Sequence, residues 1–93
     1  MLRHVVIWSM SEGPGEELDE LLLELRALPD QIEEIVELSA GQLLNETDFD
    51  AVLCVDVADA DALERYRAHP AHQPVLKRLR ASTLQLIVAD YES

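Results

Sequence analysis

The chain has 93 residues, 48% hydrophobic and 28% charged, with 19 acids against 7 bases and a formal net charge of −12. That length suits one domain, residues 1–93, and the composition excludes wholesale disorder. The charge excludes nucleic acid, whose phosphates call for a basic surface, and it excludes an anionic membrane face for the same reason.

Residues 2–9, LRHVVIWS, are rich in β-branched and aromatic side chains and predict a strand. Alternation puts Leu2, His4, Val6 and Trp8 on one side and Arg3, Val5 and Ile7 on the other. The apolar run here is far too short to span a bilayer and carries no signal-type cleavage pattern. SEGPGEE breaks the strand with two glycines and a proline, and its glutamates suit a helix start. From Glu16 the leucines at 18, 21, 22, 25 and 28 form one amphipathic stripe, and Pro29 limits the helix. A short helical turn is expected over residues 30–34.

Residues 35–43 predict a second strand, with a bend or bulge at Gly41. NETD marks a turn, and FDAVLCVDV (residues 49–57) predicts a central strand hairpin-paired with the second. Cys54, the one cysteine, reads as a small buried hydrophobe. No disulfide is available within the chain, which fits a reducing cytoplasm. Asp59 and Asp61 are N-cap candidates for a helix to about residue 67. The prolines of HPAHQP then interrupt it. A last helix is expected over residues 74–80, followed by the strand TLQLIVADY.

Strand, helix, strand, strand, broken helix, strand is the order of a ferredoxin-like βαββαβ sandwich. It is an α+β fold with a four-stranded antiparallel sheet and helices on one face. No element remains to cover the other face, which also carries apolar residues. A homodimer through the sheet face, closing a dimeric α/β barrel, follows.

The residues that suggest chemistry are concentrated in YRAHPAHQP (residues 66–74), which holds two of the three histidines. His72, Val75, Leu76 and Leu79 fall on one helical stripe facing the sheet. Tyr66 follows Leu63 by three residues and points inward as well. His69 precedes Pro70 and is expected in extended backbone, while His4 shares its strand face with Val6 and Trp8. Three polar tips thus converge on the space between sheet and helices. A histidine near a helix N-terminus is held neutral and available as a base. Beside it, a tyrosine hydroxyl can donate to a carbonyl oxygen, so the pair can move a proton next to that carbonyl. No carboxylate stands at a ligand spacing from the histidines, so neither a metal nor any other cofactor is expected. A second reading stays open, in which Tyr66 and His72 only complete the core and satisfy each other or carbonyls freed near the prolines.

RHVV at residues 3–6, ALP at 27–29, YRAHPAH at 66–72 and the closing VADYES resemble the stress-responsive dimeric α/β-barrel (Dabb) family along essentially the whole chain. The resemblance implies a ferredoxin-like fold that pairs sheet to sheet. Within the family, the chain is similar to the cofactor-free olivetolic acid cyclase-like polyketide cyclases. That similarity implies His72 as general base, Tyr66 as the group orienting a substrate carbonyl, and His4 as a pocket histidine. A further pocket histidine of that branch falls at or near Ala51, and its first-helix aromatics are represented by leucines around Leu21–Leu25. The cyclase substrate does not transfer; the ligand expected from the residues is a small apolar carbonyl compound, contacted by His4, Trp8, His69, Leu22, Leu25 and Leu76. Two classes of function follow, a cofactor-independent cyclase or isomerase and a non-catalytic ligand-binding dimer; for a third, an oxygen-using monooxygenase, no residue speaks. The enzyme reading requires a cavity of roughly 300 Å³ or more, reached by both His72 and Tyr66.

Overall fold

The computed structural model describes residues 1–93. Strand β1 spans Leu2–Met10, helix α1 Glu16–Arg26, strand β2 Glu37–Gln42 and strand β3 Ala51–Val57. Helix α2 spans Ala60–Ala68, helix α3 His72–Ser82 and strand β4 Thr83–Glu92. The four strands form one antiparallel sheet in the order β2-β3-β1-β4, the expected ferredoxin-like α+β arrangement.

The leucine stripe of α1 buries Leu18, Leu21, Leu22 and Leu25. Glu16, Glu17 and Asp19 in the first turn and Arg26 in the last complement its dipole. Gly13, in the turn before it, has a φ of 75°, a left-handed value that any other side chain would strain. Pro29 stops the helix as expected. The helical turn that follows is a 3₁₀ turn at Leu28–Asp30, earlier than residues 30–34, because Pro29 occupies its first turn, where no donor is needed.

Asp59 caps α2, its Oδ1 accepting from Ala62 N–H at 2.8 Å. His69 closes that helix in extended backbone (φ −62°, ψ 135°), as a residue before proline should. Helix α3 begins at His72, two residues ahead of the expected start at Pro74. Pro74 sits inside the first turn, where a missing N–H costs no helical bond, so it does not delay the helix. His72 is thereby helical, and its stripe is real.

Paired residues share a face, so the sheet register assigns every strand position. His4 pairs with Val55 and Asp90, Val6 with Leu53 and Val88, and Trp8 with Ala51 and Leu86. These face the helices, and most are buried with the leucines of α1 and with Leu63, Tyr66, Val75 and Leu79. The opposite face carries Val5, Ile7, Val52 and Cys54, all half-buried, with Ile87 beside Ile7 on β4. Cys54 is therefore not a core residue: it belongs to the face the helices leave bare. One end of that face is polar, because Arg3 forks onto Asp56 at 2.8 and 3.1 Å and reaches Tyr91 Oη at 3.3 Å. The guanidinium holds the Asp56 carboxyl below the usual carboxylate range, against the opposing effect of burial.

Two arginines fasten the helical layer. Arg26 donates twice to Ala40 O on β2, and Arg78 on α3 reaches Glu17, Glu20 and Glu24 along α1. No helix is long and apolar enough to cross a membrane.

Candidate functional site

A cavity of about 470 Å³ lies between the sheet and the helices. Its apolar lining comes from Val6, Leu25, Leu53, Val75, Leu76 and Leu79, with Leu86 and Val88 of β4. Its polar lining is His4, Tyr66, Arg67, His72, Arg80 and Thr83, without a single carboxylate. Each follows from local structure: strand alternation delivers His4, the α2 stripe delivers Tyr66, and the early start of α3 delivers His72.

The three rings form a contiguous set. Tyr66 and His72 have ring centroids 4.6 Å apart at 44°, and His4 meets Tyr66 edge-on with centroids 6.1 Å apart. Tyr66 is completely buried, yet its Oη has no hydrogen-bond partner within the protein. Burial pushes the phenol up to about 12, so it remains a donor at any ordinary pH.

His72 is fixed by the chain just before it. Its Nδ1 lies 3.1 Å from Arg67 O, and a carbonyl only accepts, so the neutral ring carries its proton on Nδ1. The lone pair is left on Nε2. Burial lowers the His72 pKa first, against the raising effect of the bond to the Arg67 carbonyl, and the neighbouring His4, Arg67 and Arg80 lower it further. The ring is therefore neutral at pH 7.

His4 donates from Nδ1 to Asp90 Oδ1 at 2.6 Å, while Arg67 Nη2 binds Asp90 Oδ2 at 3.1 Å. Asp90 thus ties β1, β4 and α2 together and sets the His4 tautomer. Asp90 and Arg67 were not among the residues expected from sequence. The alternation Leu86–Val88–Asp90 did carry a signal, since it places a carboxylate on an otherwise apolar strand face.

Of the expected site residues, His4, Tyr66, His72, Leu25 and Leu76 come together around the cavity. Trp8, His69 and Leu22 do not. Trp8 shares the face of His4 but lies about 13 Å further along the strand. There it is fully buried, with Nε1 donating to Met10 Sδ at 3.3 Å. His69 turns its Nδ1 back to accept from Ala71 N–H at 3.0 Å, closing the turn between α2 and α3. Leu22 is buried in the core one turn before Leu25. No group of three or more His, Cys, Asp or Glu side chains is placed to hold a metal ion.

The pKa of His72 has a consequence for stability. Because the folded value lies below the ordinary 6.5, the unfolded chain takes up this proton first as the pH falls. The stability contributed by the neutral ring is complete above about 6.5 and is lost as the pH drops toward and through the folded value. Between pH 7.5 and 5.5 the melting temperature of the natural chain should fall more than that of His72→Gln. Equal slopes would contradict the assignment.

The fold and this cavity define a class, that of small ferredoxin-like α+β proteins with a ligand-sized space beneath the helical layer. The chain belongs to the stress-responsive A/B barrel domain (Dabb) family, whose pattern matches residues 2–93. An uncharacterised protein of Streptomyces coelicolor is 33% identical over 97 residues, covering 99% of each chain. A dimeric protein of unknown function with a ferredoxin-like fold, from Bacteroides fragilis, superposes with a TM-score of 0.87 at 23% identity, covering 99% of this chain and 95% of its own. A hydroxynitrile lyase from Passiflora edulis superposes with a TM-score of 0.86 at 16% identity, covering 97% and 90%.

Proposed function

We propose that this Dabb protein is a homodimer that binds a small apolar carbonyl compound in the cavity between sheet and helices. The observation that carries the reading is Tyr66 Oη, a buried donor with no protein partner on a residue that lines a mostly apolar space. A buried hydroxyl left unpaired costs about 1–3 kcal/mol, and a ligand carbonyl that accepts from it removes that cost. Two observations support the dimer. The apolar face of half-buried Val5, Ile7 and Val52 and exposed Ile87 has no cover within the chain, and the Bacteroides fragilis neighbour of the same fold is dimeric.

A second reading, catalysis without a cofactor, is favoured by the state of His72. A neutral imidazole with its Nδ1 proton anchored presents Nε2 as a base beside the Tyr66 donor. With a carbonyl on Tyr66, His72 would remove the proton from the adjacent carbon, and the phenol would stabilise the enolate oxygen. This is the first step of a cyclase or isomerase. That a fold neighbour is a hydroxynitrile lyase agrees with the fold hosting an enzyme.

Titration calorimetry with butyrophenone and with butylbenzene, its counterpart without the carbonyl, tests the binding reading. The natural protein should prefer the ketone by about 5–10-fold, the worth of one hydrogen bond of about 1–1.4 kcal/mol. Tyr66→Phe should remove the preference. The same variant should be no less stable than the natural chain, since the hydroxyl has no bond to lose. Equal affinities in the natural protein would overturn the reading, and a destabilised Tyr66→Phe would favour a purely structural role.

A further inference from the structure

The polar half of the cavity carries more information than its two candidate chemical groups. Nearly every cation of this acidic chain is engaged. Arg3 is on Asp56, Arg65 on Glu34, Arg67 on Glu64 and Asp90, Arg78 on three glutamates, and Arg26 on a backbone carbonyl. Lys77 and Arg80 alone have no such partner. Lys77 and Arg80 are both exposed, but only Arg80 lines the cavity, together with Thr83. With 19 acids against 7 bases, an arginine kept clear of carboxylates beside a cavity that contains none is a selective arrangement.

The position of Arg80 defines what it can hold. His72 and Arg80 stand eight residues apart on α3, about 12 Å along the axis. Helical side chains lean toward the N-terminus, which from Arg80 is the direction of His72. The lining thus combines a hydrogen-bond donor and a base on Tyr66 and His72, an unpaired guanidinium on Arg80 near the far end of α3 with Thr83 beyond it, and leucines and valines. A planar fork of N–H donors matches a carboxylate.

We propose that the ligand is an apolar oxo-acid, with its carbonyl at Tyr66 and a carboxylate less than about 12 Å away on Arg80, assisted by Thr83. The proposal rests on the carbonyl-binding reading above and specifies the class of compound. Arg80 here is a specificity residue: it selects the anionic form of a ligand whose body the apolar walls accept.

Calorimetry with 6-oxo-6-phenylhexanoate and with its methyl ester separates the two ends. The natural protein should bind the acid at least about tenfold more tightly than the ester, as expected for a charge-assisted bond. Arg80→Gln should erase that preference while leaving ester affinity unchanged, and Lys77→Gln should leave the preference intact. The preference should shrink with added salt. Tyr66→Phe should weaken acid and ester alike. An acid that binds no better than the ester, or a preference that survives Arg80→Gln, overturns the oxo-acid assignment alone. Ester binding indifferent to Tyr66→Phe overturns the carbonyl reading. If neither compound binds the natural protein, both fall.

Discussion

His72→Ala should slow exchange of the α-proton of bound butyrophenone by about 10²–10⁴-fold, the usual worth of a positioned general base. The experiment needs no knowledge of the natural substrate: the ketone is held with the protein in D₂O, and loss of its α-proton resonance is followed by NMR. The natural protein should exchange faster than buffer, with a rate that is flat through neutral and mildly alkaline pH. It should fall on the acid side as His72 takes up a proton below about 6.5, since burial, helped by His4 and two arginines, lowers its pKa. No alkaline limb is expected in the ordinary range, because Tyr66 is pushed up to about 12. If alanine at position 72 prevents folding, His72→Gln keeps a side chain able to bond Arg67 O while removing the base. Exchange unchanged in a folded His72 variant would end the catalytic reading and leave the binding reading standing.

Ile87→Asp should leave single chains under conditions where the natural chain pairs. Ile87 lies opposite Ile7 on the face away from the helices and is 49% exposed in the isolated chain. A two-fold contact across this face buries the new carboxylate once from each protomer. An uncompensated buried charge costs about 3–5 kcal/mol, so the dissociation constant should rise by at least about 10³-fold. Sedimentation equilibrium reads the outcome directly: twice the 10.5 kDa of one chain for the natural protein and one chain for the variant. Leu44→Asp is the matched control, because Leu44 is 99% exposed in the loop between β2 and β3. A natural chain that sediments as one protomer, or a dimer that survives Ile87→Asp, would move the interface elsewhere or remove it.

What the sequence made legible was whatever local periodicity encodes. The α1 leucines, the alternation of β1 and the Asp59 cap all stand where their spacing places them. The inward placement of Tyr66 and His72 was legible for the same reason, since each is one step along a helical stripe. Boundaries failed where local signals compete. Pro74 reads as a helix start, but a proline inside the first turn allows the helix to begin two residues earlier.

The rest of the site depended on pairing across the chain. The His4–Asp90 bond joins residues 86 apart, and only the register of β1 against β4 brings them together. Trp8 shows the converse: the right face is not the same as the right place along it. Strand alternation fixes which side a ring points to and says nothing of how far a cavity extends. His69 was placed correctly in its backbone but not in its side chain, which closes a turn that no period describes. Arg80 gave no local signal, because its lack of an ion-pair partner is set by the tertiary fold and not by any spacing along the chain.

Infrared difference spectroscopy of ¹³C=O-labelled butyrophenone reports most directly on whether the ligand carbonyl accepts from Tyr66 Oη. On binding to the natural protein, the labelled stretch should move to lower frequency than in an apolar solvent, as hydrogen bonding weakens the C=O bond. In Tyr66→Phe it should return to the apolar-solvent position. A bound carbonyl whose frequency is the same in both proteins would contradict the account.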